Sequence, residues 1–542
     1  MDPQPAQTFA HAATHFSLFS RNRRFLEWLL LAAFCAFFFF WQLSSFGLIG
    51  ADEPRYAQVA REMLERHDWI TPTLSGAPWL EKPPLYYWQA IIAYRIFGVS
   101  DWAARLPSAF DATLLVFAAY FFLRRLRPGF ALDGGLIMAS CVGIVGFARA
   151  ASTDMPLAAT FTVAMLGWWV WFESGCRDWL LVSYGFLALA MLAKGPVALF
   201  FAAVIILIFA LTQRSWRIIT GSLWPPAVVL FFIIGLPWYV LVQLMNPQFF
   251  RIFILEHNLA RFGTNMFHHP EPFWYYVPVS LLAWMPWVVF VVAAIALVIR
   301  RLRSPNSDSL NLFLMIWLLV VIALFSASSS KLPGYILPAI PAGVLVLANY
   351  LRENFAHKPH PTLVVLHALT ASALIFGALM CRYTILQHKF VFDSTATVPL
   401  IVSFVIAAII AIAFFAKGFF ALRLVALIPA VLALTIALRF GAPVLNQMLS
   451  ARAVSDSLKQ VSKQNLPVAA FLVSRETEFG LQFYRNQKIA RYEEGNIPPG
   501  EHLVVVPEQY WKGVAKRASG RKITFLGSLP DQNLDFFYVG PG

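Results

Sequence analysis

The residues best suited to chemistry stand in a few short stretches of this 542-residue chain. The first is Asp52-Glu53-Pro54-Arg55-Tyr56, two adjacent carboxylates followed at once by a cation and a phenol. Acidic residues ahead of proline suit a helix start, and 55–66 reads as helix, so a solvated cap accounts for them. They also adjoin a long apolar run, where ionisable groups are costly and point to function. Asp52 is therefore expected to take part in chemistry, with Glu53 the milder of the two. The second stretch is Glu81-Lys82-Pro83-Pro84, inside an aromatic run from Trp79 to Trp88. The prolines hold the backbone extended and aim Glu81 and Lys82; an aromatic belt with a snorkelling lysine explains the same residues. Asp154 opens a helix in Ser152-Thr153-Asp154-Met155-Pro156, where an N-cap is the plain reading. Lys194-Gly195-Pro196 and Lys331-Leu332-Pro333-Gly334-Tyr335 place cations and a phenol at tight turns. Three lysines at proline-containing turns, close to acidic partners, compose a site for phosphate.

Glu256-His257-Asn258-Leu259-Ala260-Arg261-Phe262 carries His257 and Arg261 on one helical face, and His268-His269 follows. A first-loop carboxylate such as Glu81, together with His257, suits a divalent metal of the zinc or manganese kind. No ligand spacing fixes that site, and no other cofactor is expected.

The elements that must position these residues are membrane helices. Only 13% of the chain is charged and 59% is hydrophobic, against roughly 25% charged in soluble domains. Apolar stretches of about 20 residues, long enough to cross ~30 Å of hydrocarbon, recur from end to end. The pattern predicts an all-α polytopic protein with about thirteen spans. They lie near 25–49, 105–123, 131–148, 155–172, 178–193, 196–212, 222–243, 274–299, 311–327, 336–351, 361–381, 398–416 and 419–440. Arg21, Arg23 and Arg24 precede a first apolar run too long for a signal peptide, which puts the N-terminus in the cytoplasm. Basic clusters then fall on cytoplasmic ends: Arg124, Arg125 and Arg127; Arg214 and Arg217; Arg300, Arg301 and Arg303; Lys417 and Arg423. The net charge of +14 thus reads as cytoplasmic loops and not as nucleic-acid binding. Loops 50–104 and 244–273 and every motif above share the extracytoplasmic face. Cys35, Cys141, Cys176 and Cys381 have neither disulfide nor zinc spacing.

The membrane domain is expected over 1–440 and a small extracytoplasmic α/β domain over 441–542. In the latter Ala453, Val454, Leu458 and Val461 form a helical stripe. Strand-like runs follow at Pro467–Val473, His502–Val506, Lys522–Leu526 and Asp535–Val539.

Taken in order, Asp52-Glu53-Pro-Arg55-Tyr56-Ala, Asp68-Trp69-Ile70, Glu81-Lys82-Pro-Pro-Leu, Thr153-Asp154, Lys194-Gly-Pro, Glu256-His257…Arg261-Phe262 and Lys331-Leu-Pro…Tyr335 resemble the lipid A aminoarabinose transferase family. That family belongs with the GT-C glycosyltransferases and the protein mannosyltransferases. The resemblance covers about residues 40–345 and no motif beyond. It implies a multi-pass enzyme of the bacterial inner membrane that takes a sugar from an undecaprenyl or related polyprenyl-phosphate carrier at the periplasmic face. Asp52 and Asp154 match its acidic site residues. Lys82, Arg55 and Tyr335 match positions that engage the carrier phosphate, and Lys194 another cationic position. Tyr56, Arg261 and Lys331 fall in the same substrate-binding motifs, and Glu81 and His257 match residues beside a metal. The acceptor implied is lipid A or another lipid. A related transferase for galacturonic acid or mannose, acting on protein or polysaccharide, fits the same residues. A transporter fits less well, since its ionisable residues belong in mid-span.

Overall fold

The computed structural model describes residues 24–126, 128–260, 271–302, 308–354, 360–387, 396–417, 427–462 and 466–541. Among them, eight helices are individually long and apolar enough to cross a membrane, or up to ten if each of two bent pairs is one span. The bent pairs are Ala131–Ser140 with Val142–Ala148 and Tyr276–Ala283 with Val288–Arg301, kinked by 63° and 116°. The chain is a multi-pass membrane protein. Three of the predicted spans fall on helices too short to cross ~30 Å by themselves at 1.5 Å per residue. These are the helical stretch 24–40, Asp178–Lys194 and Val197–Thr212.

The first long loop folds into α1 (Asp52–Glu65), a hairpin of β1 (Thr73–Leu74) and β2 (Ala77–Pro78), and α2 (Leu85–Phe97). Asp52 and Glu53 in the first turn favour the helix dipole, and Pro54 costs little there. Ser75 and Gly76 both take positive φ, 55° and 80°, as a tight two-residue hairpin needs. Their amides donate to the Glu62 carboxylate at 2.7 and 3.1 Å, which ties the turn to α1. In α2 the Tyr94 hydroxyl donates to the Ala57 carbonyl at 3.2 Å. The Tyr86 hydroxyl donates to the Ala104 carbonyl at 2.8 Å, joining α2 to α3 (Asp101–Leu126). Ile92, Ile96 and Phe97 remain exposed, as an interfacial helix requires.

Beyond the spans, helix Ala451–Val461 buries Ala453, Val454 and Leu458 against a five-stranded sheet of order β4-β3-β5-β7-β6. Its strands are β3 (Val468–Ala470), β4 (Ala490–Arg491), β5 (His502–Pro507), β6 (Ile523–Leu529) and β7 (Leu534–Val539). β3 pairs in parallel with β4 and β5, while β7 runs antiparallel to β5 and β6. This unit is fastened to the first loop. The Leu48 amide donates to the Tyr484 hydroxyl at 2.7 Å, and Arg452 pairs with Asp101 at 2.7 Å. The Arg61 guanidinium donates to the Phe483 carbonyl at 3.0 Å. All four cysteines are unbridged.

Candidate active site

Asp52 and Glu53 leave the first turn of α1 in different directions. Glu53 is buried at 7% exposure and holds the fully buried Arg105 of α3 through two hydrogen bonds, 3.1 and 2.7 Å. Its oxygens also accept from the Ile49 and Ala151 amides, at 2.9 and 2.7 Å. Glu53 therefore joins three segments and has no capacity left for substrate. The Asp52 side chain is 54% exposed, and one oxygen lies 2.5 Å from the Arg55 guanidinium. That contrast separates a structural carboxylate from an available one.

The Arg55 guanidinium is walled by three rings, Tyr56, Trp79 and Phe479, at 5.2, 5.0 and 5.8 Å. Its Nε is buried without a hydrogen-bond partner. Asp52 and Glu81 both lie within electrostatic reach of it. The Tyr56 phenol is pushed well above its ordinary pKa, first by burial and then by Asp52, so it remains a neutral hydrogen-bond donor. It also feels Asp154, which brings the first motif together with the third.

Asp154 is the first residue of α4 (Asp154–Ser174), and its carboxylate does not cap that helix. The Ser152 hydroxyl donates to one oxygen at 2.8 Å, the Lys194 ammonium pairs with the other, and Lys82 lies within electrostatic reach. Lys194 ends α5 (Asp178–Lys194), where Gly195 at φ 95° turns the chain into α6 (Val197–Thr212). The same ammonium sits 4.5 Å from the centre of the Tyr335 ring. Gly334 makes this approach possible: a Cβ there would stand 2.7 Å from the Asp154 Cγ. Motifs separated by up to 283 residues (52 to 335) thus meet at one end of the bundle.

Lys331 behaves differently. Its ammonium donates to the Glu271 and Ser328 carbonyls, at 2.9 and 2.6 Å, and it is buried at 6% exposure. It fastens its own loop. His257 lies in the helix Arg251–Ala260, with its Nε2 3.7 Å from a Glu81 oxygen. Among the described residues, no group of three or more His, Cys, Asp or Glu side chains is placed to hold a metal. Within those residues Glu81 and His257 are two donors brought close together. Arg261, His268 and His269 lie outside the described residues.

Sequence reading missed Arg105 and Tyr87. Arg105 was assigned to the edge of a span, and nothing local marks its partner 52 residues away. Tyr87 of α2 is fully buried, its hydroxyl has no hydrogen-bond partner, and Arg55, Glu81 and Asp52 all bear on it. Burial pushes its phenol well up, so it too stays protonated. The signal was present in the Tyr86-Tyr87-Trp88 run, which reads equally as a belt.

Residues 25–253 match the family model of dolichyl-phosphate-mannose-protein mannosyltransferase. The chain is 31% identical over 339 residues to an undecaprenyl phosphate-alpha-4-amino-4-deoxy-L-arabinose arabinosyl transferase of Pseudomonas paraeruginosa, covering 61% of each chain. A protein of the same description from Pseudomonas fluorescens is 30% identical over 370 residues, 67% of this chain and 66% of its own. The chain thus spans about three fifths of the length of the first of these relatives. Its fold is shared with the crystal structure of ArnT from Cupriavidus metallidurans bound to undecaprenyl phosphate. That match has a TM-score of 0.76 at 20% identity, over 94% of this chain and 97% of the other.

Proposed function

We propose that this chain is a member of the lipid A aminoarabinose transferase family and that it moves 4-amino-4-deoxy-L-arabinose from an undecaprenyl-phosphate carrier to a lipid A-type acceptor. The observation that carries this reading is the meeting of Asp52–Arg55, Tyr56, Lys82 and Asp154–Lys194–Tyr335 at one end of the helix bundle. A sugar donor with a polyprenyl tail cannot leave the membrane, so its phosphate must be met there. We place that end at the periplasmic face of the inner membrane. Counting the short helices and both bent pairs gives thirteen spans, an odd number that supports opposite sides for the two ends, and the basic clusters support a cytoplasmic N-terminus.

In the reaction, the bond between the sugar's anomeric carbon and the carrier phosphate oxygen breaks, and its electron pair stays on the phosphate. The acceptor oxygen forms the new bond to that carbon. Arg55, Lys82 and Tyr335 would hold the carrier phosphate, whose gain of charge they stabilise more in the transition state than in the ground state. A lipid A phosphate acceptor is already ionised and needs no base. Asp52 would then stabilise the oxocarbenium character of the sugar, with Arg55 fixing its position. Asp154, held by Lys194 and Ser152, is placed for the sugar hydroxyls and amine.

The phosphate assignment has a direct test. Lys82→Ala should weaken use of the carrier by roughly 10- to 150-fold, the range for a hydrogen bond to a charged group. The loss should be equal for two carriers of the same chain length bearing different sugars. A loss confined to one sugar would mean that Lys82 touches the sugar and not the phosphate.

A further inference from the structure

The Arg55 guanidinium is packed between rings from two distant parts of the chain. Tyr56 and Trp79 belong to the first loop. Phe479 lies 424 positions on (55 to 479), in helix α7 (Arg475–Arg485) of the C-terminal domain. We infer that Phe479 is a positioning residue of the active site, through which the docked C-terminal domain holds Arg55 toward the carrier phosphate. The inference rests on the phosphate role given to Arg55 above.

Hydrogen bonds alone do not fix this guanidinium. The Asp52 carboxylate accepts from Nη2 only, and Nε is buried without a partner. A flat cation held at one corner takes its direction from the faces packed on it, and a ring within ~6 Å attracts it. Helix α7 is itself tied to the first loop. The Tyr484 hydroxyl accepts from the Leu48 amide, and the Phe483 carbonyl from Arg61, at 2.7 and 3.0 Å. The Asn486 side-chain amide donates to the Glu65 carboxylate of α1 at 3.2 Å. Gly480 lets α7 come close to the helix Ala451–Val461, since a Cβ there would stand 2.3 Å from the Ala451 Cβ. Phe479 and Phe483, four residues apart and so on one face, are buried in the core of the membrane domain. The sheet of the C-terminal domain packs in two cores of its own. The two rings are therefore the C-terminal domain's insertion into the membrane domain, and one of them ends on Arg55.

The test uses the full chain in lipid nanodiscs with undecaprenyl-phosphate aminoarabinose as donor and lipid A as acceptor. Phe479→Leu removes the ring and keeps an apolar filling. Donor kcat/KM should fall roughly 5- to 30-fold, the worth of a buried cation–ring contact, with the acceptor KM held within about twofold. Phe479→Met serves the same end should the leucine variant fail to fold. Phe483→Leu takes from the same helix and core a ring that is not one of the three on Arg55. It should lower thermal stability and leave donor kcat/KM within about twofold of wild type. In a double-mutant cycle, Phe479→Leu should bring no further loss once Arg55 is replaced by alanine, because it acts through that residue. Unchanged donor kcat/KM in the Phe479 variant, an equal loss in Phe483→Leu, or losses that add in the cycle overturn the positioning role. Normal donor use by Arg55→Ala alone overturns instead the phosphate role on which it rests.

Discussion

Asp52 and Glu53 are sequence neighbours with opposite surroundings, and their substitution should separate chemistry from folding. Asp52→Asn keeps the shape of a side chain that faces solvent and Arg55. Thermal unfolding should be little changed while transfer collapses; near-normal transfer would remove Asp52 from the mechanism. Glu53→Gln takes the charge from a buried pair whose partner, Arg105, is then left without its counter-ion. Breaking such a pair costs about 3–5 kcal/mol, so this variant should be the less stable one, measured by thermal unfolding in detergent. That Asp52 stands available at the edge of the bundle was legible because its type, its neighbours and its place beside an apolar run all agree. The role of Glu53 was not, since the same local sequence suits a cap, a catalyst or an anchor. Only the arrival of Arg105 and of the Ile49 and Ala151 amides decides between them.

At the scale of elements, the turn before Tyr335 shows how backbone shape sets the site. Gly334 lets its strand of chain pass against the Asp154 carboxylate, and any Cβ would push on that group and on the Phe147 ring. Gly334→Ala should therefore displace Asp154 from Lys194 and lower transfer at least about 10-fold, since a small misplacement of a catalytic group is expensive. The assay is kcat on a saturating carrier, with purified yield as the check on folding. An unchanged kcat would show that the Asp154–Lys194 contact is not needed. Helices were legible at this scale because apolar runs and prolines mark them, and four strands of the C-terminal sheet were found within a few residues, while the two-residue β4 was not. The β1–β2 hairpin was not foreseen, although Ser75-Gly76 is a turn dipeptide. Two strands of two residues each leave too little alternation to read. The bends at 141 and 284–287 were hidden as well, because a broken span has the same composition as a straight one.

For the whole molecule, the arrangement requires the active site and the C-terminal domain to share one side of the membrane. An alkaline phosphatase reporter fused after Ser462 should be active, and one fused after Arg301 should be silent. The reverse pattern would place the site in the cytoplasm, where the basic clusters belong. Span number and charge bias are the sequence signals for this sidedness, which the fusions test, while the docking of the C-terminal domain on the first loop left no signal in the sequence. That contact depends on single hydrogen bonds between residues some 400 positions apart, such as Ser450 to the Leu48 carbonyl at 2.9 Å.

We propose transfer of a carrier-bound aminoarabinose to a lipid acceptor by the cluster around Asp52, Lys82 and Asp154. The most direct measurement reconstitutes the purified chain in nanodiscs with undecaprenyl-phosphate aminoarabinose and lipid A, then follows both lipids by mass spectrometry. Lipid A should become heavier by one aminoarabinose residue, with an equal amount of freed undecaprenyl phosphate, and neither product should form with Asp52→Asn. Unmodified lipid A beside an intact donor, from wild-type protein that remains folded, would contradict it.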